Sequence, residues 1–318
     1  MSTQRKKVFL IGEYTLKRIQ HKLLMGKNST ADLYRATGHH FLNFLGNKDI
    51  PISEITPIMV KDFQDYLEMK CLKINTINSY LSSLRAIYNA ALSEKPFKVK
   101  FHPFLHLKLK RDVTVKSPLS AEMIEKIATT DFSDSPKLEL AADLSLFSFM
   151  AYGMPFVDMI HLKKSNIHDN EIIYNRHKTG IQIRIEITTG MFHIIEKYRN
   201  NSSYIFPIMH SESTYGQYKS MLASYNDSLK IIGHELSIHN NLTSYVLRHT
   251  WAAEAQRRHI PIAIISQALG HTSEKTTRCY LNQLDQSELN NANQNITNAI
   301  NSLLIRNFGK TEINHTYL

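Results

Sequence analysis

The sequence predicts a mainly α protein of the α+β class, with two domains and one small antiparallel sheet within the second. Three observations carry that expectation. Helical periodicity with capping residues recurs through the first third of the chain. A basic stretch punctuated by prolines follows. The run Ile167–Thr188 then changes to a period of two inside otherwise helical sequence. At 318 residues the chain is long enough for one large domain or two ordinary ones, each with a core.

In order along the chain, Glu13–Met25 lies between Gly12 and Gly26 and reads as a basic helix. Ser29 or Thr30 can cap a second helix, with Leu33, Tyr34, Thr37, Phe41, Phe44 and Leu45 on one face. Thr56-Pro57 pairs a capping hydroxyl with proline at the first helical position, ahead of Met59, Phe63, Tyr66 and Leu67. Asn75-Thr76 opens another helix, whose Ile77, Tyr80, Leu81, Leu84, Ile87, Tyr88 and Ala91 face inward. Between Pro96 and Pro118, six lysines and arginines with three prolines read as an extended connector. Ser117-Pro118-Leu119-Ser120 starts the second domain, with a helix from Ala121. Leu138–Tyr152 is apolar nearly all round and therefore central to its domain. In the sheet, Ile183, Ile185 and Ile187 alternate with Gln182, Arg184 and Glu186, with turns at Asp169-Asn170 and Lys178-Thr179-Gly180. From Ser211 onward the pattern is helical again.

Composition narrows the function classes. The start of the chain, Met1 to Lys7, is too polar for a signal peptide. The longest apolar run, near Leu144–Pro155, is interrupted by Ser145 and Ser148 and is too short for a bilayer. Two cysteines, Cys71 and Cys279, make neither a disulfide framework nor a metal quartet. The expectation is a cytoplasmic protein with no membrane partner, metal or other cofactor. Charge is unevenly placed. Residues 1–110 hold 18 Lys+Arg against 8 Asp+Glu, and residues 111–318 hold 20 of each, so the entire excess of +10 lies in the first third. That distribution suits a segment lying along a polyanion, and equally a merely solvated basic surface.

The chemistry is concentrated late in the chain. Leu247–Tyr280 begins Leu-Arg-His-Thr, contains Leu-Gly-His and ends Arg-Cys-Tyr-Leu, bringing together Arg248, His249, His271 and Tyr280. A guanidinium, imidazoles and a phenol directed at one point suit attack on a phosphodiester. The order and spacing resemble the tyrosine recombinase (phage integrase) family. The texture is similar to the integrases and invertases of Bacteroides-type mobile elements. Asn75-Thr76-Ile77, Gly153-Met154-Pro155-Phe156-Val157-Asp158-Met159 and Tyr204-Ile205-Phe206-Pro207 add to that likeness.

The resemblance implies a two-domain clamp. Residues 1–110 would be a SAM-like core-binding domain, 111–118 a basic linker, 119–290 the catalytic domain and 291–318 a C-terminal helix or tail. It implies a site-specific recombinase that cuts and rejoins DNA through a 3′-phosphotyrosyl intermediate, without metal or ATP. Tyr280 would be the nucleophile, and Arg248 the second arginine of the family's site. His271 would bond a non-bridging oxygen, and Lys178 would protonate the leaving 5′-oxygen. Tyr245 stands where histidine is common, three residues before Arg248. Asp158 and His249 would support the site, His249 pointing about 100° away from Arg248 on a helix. Lys73, Arg85, Lys98, Lys100, Lys108, Lys110 and Arg111 would contact DNA. A homotetramer on paired sites, nucleoid-associated in a bacterial cytoplasm and aided by DNA-bending factors, completes the expectation. Leu284, Leu289, Ile296, Ile300 and Leu303 would line a tail helix for docking on a neighbour, or equally a tail packed on its own domain or partly disordered.

One departure is serious. The family's first arginine would fall at Tyr152 or Pro155, and no arginine lies between Lys137 and Lys163. Either Arg176, Lys163 or Lys164 substitutes for it, or the protein is a weakly active or non-catalytic DNA-binding relative.

Overall fold

A computed structural model of the chain describes residues 9–94, 101–109, 118–209, 213–238, 241–278 and 281, with 293, 294, 296–298, 300 and 302. The chain divides into two compact units, Met1–Val115 and Lys116–Leu318.

The first unit is helical: α1 (Ile11–Leu24), α2 (Asn28–Phe44), α3 (Pro57–Met69) and α4 (Ile74–Glu94). Its core is built from Tyr14, Phe41, Phe63, Leu67, Leu84, Ile87 and Tyr88, all nearly fully buried. Thr56 caps α3 as its sequence predicts, its hydroxyl accepting from Met59 N at 3.1 Å. Two details differ from expectation. The second helix starts at Asn28 after Lys27, with no side-chain cap, so Ser29 and Thr30 sit inside its first turn. The N-terminus of α1 is instead satisfied from a distance: Asp49 accepts from Gly12 N at 2.7 Å and Glu13 N at 3.2 Å.

The middle of the basic connector also departs from the extended reading. Residues 101–109 form turns that return to the first core, where Phe104 is buried and Leu107 and Leu109 pack. The ring of Phe104 lies 5.7 Å from Tyr88, and His102 bonds Asn89 at 2.9 Å. Apolar burial outweighs the solvation that its lysines and proline suggest. Lys98, Lys100, Lys110 and Arg111 lie outside the described residues. Lys73 and Lys108 are exposed and Arg85 is half-buried.

In the second unit, α5 (Ala121–Thr129) and α6 (Pro136–Met150) precede the short α7 (Phe156–Ile160). Strands β1 (Ile167–His168), β2 (Glu171–Asn175) and β3 (Gln182–Glu186) then form an antiparallel sheet in the order β1-β2-β3. Helices α8 (Thr189–Lys197), α9 (Tyr215–Glu235), α10 (Val246–Arg257), α11 (Ile262–Ala268) and α12 (Glu274–Arg278) complete it. The apolar α6 is central, with Leu144 and Phe147 buried beside Leu229 and Ile232 of α9 and Leu247 of α10. Its two buried serines are satisfied, Ser145 donating to Ala142 O and Ser148 to Met154 O, each at 2.7 Å. The sheet turns Ile172, Tyr174, Ile183 and Ile185 into the same core, while Gln182, Arg184 and Glu186 face outward. Among the described residues no helix is long and apolar enough to cross a membrane. Ile296 and Ile300 are exposed, and Leu284, Leu289 and Leu303 lie outside the described residues.

Candidate active site

Arg248 sits in the first turn of α10 and is only 2% exposed. Two carbonyls from distant parts of the chain hold it. Nη1 donates to Gly153 O at 3.0 Å, and Nη2 donates to Leu269 O at 2.5 Å. Both acceptors depend on left-handed turns. After α6, Tyr152 (φ 58°) and Gly153 (φ 65°) are successive left-handed residues that fold the chain back beneath α10. A Cβ on Gly153 would lie 2.5 Å from Arg248 Cα, so only glycine permits this approach.

The second turn ends α11. Gly270 (φ 61°) donates to Gln267 O at 2.9 Å and His271 N to Ser266 O at 3.0 Å, a Schellman pair. This leaves Leu269 O available to arginine and releases His271 from the helix. His271 Nε2 lies 3.4 Å from Arg248 Nη2, and Nδ1 lies 2.9 Å from Thr277 Oγ1. Because a guanidinium only donates, Nε2 accepts and the ring proton belongs on Nδ1, donated to the fully buried Thr277.

The β2–β3 turn is bound to the same loop. Arg176, 4% exposed, donates from Nη1 to Leu269 O at 2.6 Å and Gly270 O at 3.0 Å. Thr179 Oγ1 donates to Gly270 O at 3.3 Å. The turn closes through Gly180 N to Arg176 O at 2.7 Å and leaves Lys178 exposed at its tip. Asp158, on α7, is buried below it. It accepts from His177 N at 2.8 Å and lies 3.7 Å from Arg176 Nε. Burial pushes the Asp158 carboxyl above its usual range, against the pull of the His177 N–H, Arg176 and Arg248.

Pro155, Asp158, Arg176, Lys178, Tyr218 and Tyr245 line one cavity of about 100 Å³. Tyr245 precedes α10 at its rim, 43% exposed, with its ring 5.6 Å from that of His249. Tyr152 turns its ring toward Trp251, 5.3 Å away. Lys163 and Lys164 point elsewhere: Lys163 Nζ lies over the Tyr204 ring, and Lys164 Nζ bonds Asn200 O. Arg248, His271 and Arg176 thus share one loop, and Lys178 and Tyr245 share its neighbouring cavity. Tyr280 lies outside the described residues. Its neighbours in sequence are anchored, Thr277 on His271 and Leu281 against the cluster of Ala252, Ala255, Ile265 and Leu269.

Thr277 and the two carbonyls have no signal in sequence. Arg176 has one. It continues the inward parity of Ile172 and Tyr174 on β2, and a charge at a buried register marks a site with a special partner.

Comparison with known proteins agrees with this architecture. Residues 10–109 match the phage integrase SAM-like domain, and residues 119–287 match the phage integrase family. The tyrosine recombinase XerD of Rickettsia conorii is 21% identical over 284 residues, covering 80% of this chain and 88% of the relative. The Tn1549 transposon integrase bound to transposon right-end DNA superposes with a TM-score of 0.63 at 14% identity, over 90% of this chain and 99% of that one. Lambda integrase, as a tetramer on a Holliday junction, gives 0.62 at 18% identity, over 87% of this chain and 78% of that one. The chain belongs to the phage integrase family of tyrosine recombinases, with a SAM-like domain ahead of the catalytic one.

Proposed function

We propose that this chain is a site-specific DNA recombinase whose nucleophile is Tyr280. The observation that carries the reading is the junction at Leu269, where the loop bearing His271 holds Arg248 and also carries the turn that presents Lys178. In this reading Tyr280 Oη bonds to phosphorus as its phenolic proton passes to water. The P–O5′ bond breaks, and the 5′-oxygen takes a proton from Lys178. A 3′-phosphotyrosyl link and a free 5′-hydroxyl result, and a hydroxyl of the partner strand reverses the step. Arg248 stabilises the charge that develops on the non-bridging oxygens, and His271 does so once Nε2 carries a proton and turns from Arg248 to the phosphate, each worth roughly a hundredfold or more in rate. Asp158 holds the Lys178 turn through His177 N. Tyr245 donates from the rim, and His249 braces it.

The remaining assignments follow the same reading. Residues 1–110 bind DNA with 111–118 as linker, 119–290 carry the chemistry, and 291–318 form the tail. The chain acts on paired double-stranded sites as a homotetramer, in the manner of an integrase or invertase of Bacteroides-type mobile elements. The second reading, a weakly active or non-catalytic DNA-binding relative, draws on Tyr152, whose side chain lies against Trp251 where an arginine would reach the phosphate.

A pool of nicked duplexes with a randomised central segment, incubated with the full chain, separates the two. The expected result is a covalent protein–DNA adduct, enriched for one sequence and absent in Tyr280→Phe. DNA retention without any Tyr280-dependent adduct would refute the enzymatic reading and leave the binding protein.

A further inference from the structure

Arg176 is a nearly buried cation to which the mechanism above gives no chemical task. Its Nη1 is committed to the carbonyls of Leu269 and Gly270, and its Nε faces Asp158. Among the described residues no hydrogen bond engages Nη2, and the side chain lines the cavity shared with Pro155, Lys178 and Tyr245. Pro155 is one of the two positions from which the sequence lacks an arginine. The cavity beside that backbone therefore receives a guanidinium from the turn after β2 instead.

Charge points the same way. Arg176 and Arg248 both donate to Leu269 O, so two buried guanidiniums converge on one atom. The Asp158 carboxylate feels the charge of both. Two guanidiniums directed at one backbone oxygen repel each other, and an anion held between them would relieve that repulsion. A phosphate diester has that charge, and its two non-bridging oxygens suit planar, forked donors.

We propose that Arg176 is a phosphate-binding residue of this site, forming with Arg248 a two-guanidinium seat that replaces the arginine missing from 152 and 155. The identity of the anion as a DNA phosphate rests on the recombinase reading; the seat itself does not. A structural tie between hairpin and loop would account for Nη1 alone. Lys163 and Lys164, the other cations that sequence offers, are engaged with Tyr204 and Asn200.

The test uses the full chain titrated with inorganic phosphate at constant ionic strength, followed by calorimetry. Wild type is expected to bind, and Arg176→Gln and Arg248→Gln each to weaken binding at least tenfold. Arg184→Gln, on the outward face of β3, should leave it unchanged. No binding by wild type, or equal binding by Arg176→Gln, would overturn the proposal. Should Arg176→Gln not fold, Arg176→Lys decides: it keeps the charge but loses the second nitrogen, and an affinity equal to wild type would overturn the proposal. Phosphate binding that depends on Arg176, in a chain that forms no Tyr280-dependent adduct, would retain the seat and remove the recombinase reading. Adduct formation at the wild-type rate in Arg176→Gln would remove the seat alone.

Discussion

Replacing Gly153 by alanine tests how closely α10 must approach the turn after α6. The new Cβ would stand 2.5 Å from Arg248 Cα, 3.0 Å from its Cβ and 3.1 Å from its Cγ. The first of these is backbone, so no side-chain rotation relieves it. A left-handed backbone costs alanine about 1–2 kcal/mol, and overpacking of this kind adds roughly 1–3 kcal/mol. The expected loss is therefore about 2–5 kcal/mol in the second unit. Gly180→Ala supplies the control, because its φ is 71° and nothing lies within 4 Å of its Cβ. It should lose only the backbone share, about 1–2 kcal/mol. The single tryptophan, Trp251, lies in α10 and reports this unit specifically. Urea unfolding followed by its fluorescence gives both values. Equal losses in the two variants would refute the packing argument, since the backbone cost alone would then suffice. Gly153→Ala should also impair adduct formation through the displaced Arg248, more than its stability loss alone accounts for.

Three further perturbations probe other links. Phe104→Ala should destabilise the first unit by about 3–5 kcal/mol, seen as lost amide protection in α4 with the Trp251 transition unchanged; unaltered protection would mean that residues 101–109 do not hold that core. Thr277→Val removes the acceptor of His271 Nδ1 and should slow adduct formation roughly tenfold while Trp251-monitored stability falls by about 1 kcal/mol; an unchanged rate would show that the ring needs no fixed tautomer. Glu94 bonds Lys17 Nζ at 2.6 Å, and that bond, opposed by partial burial, holds its carboxyl below the ordinary range. Its stabilising contribution is thus present above the unfolded-state pKa and is lost as pH falls through the lower folded value. Glu94→Gln should cost under about 1 kcal/mol at neutral pH, with the gap to wild type closing in acid below the usual glutamate range; a gap independent of pH would point away from charge.

What was legible in the sequence was local. Thr56-Pro57 and Ser120 announce helix starts because a cap acts within three residues, and both hydroxyls accept the bonds expected of them. Alternation from Gln182 to Ile187 fixes one face of the sheet because the side-chain period is two. Lys27 at the start of α2 gives no such signal, and the cap of α1 comes from Asp49, 37 residues from Gly12. Phe104 was hidden among lysines and prolines, since its burial depends on α4 rather than on its neighbours. At the candidate site the individual side chains are readable, whereas the Leu269 carbonyl that joins Arg176 to Arg248 is a backbone atom with no residue-type signature.

The hydrogen bonds from Arg176 and Thr179 to Leu269 and Gly270 span more than ninety positions of sequence. They tie the lysine-bearing hairpin to the histidine loop. A relative displacement of the two would strip a buried guanidinium of its acceptors, a cost that opposes any change in their spacing. On the proposed mechanism, a substitution that loosened this tie would separate the proton donor for the 5′-oxygen from the phosphate-binding loop, and the expected signature is DNA that is still bound but cleaved slowly.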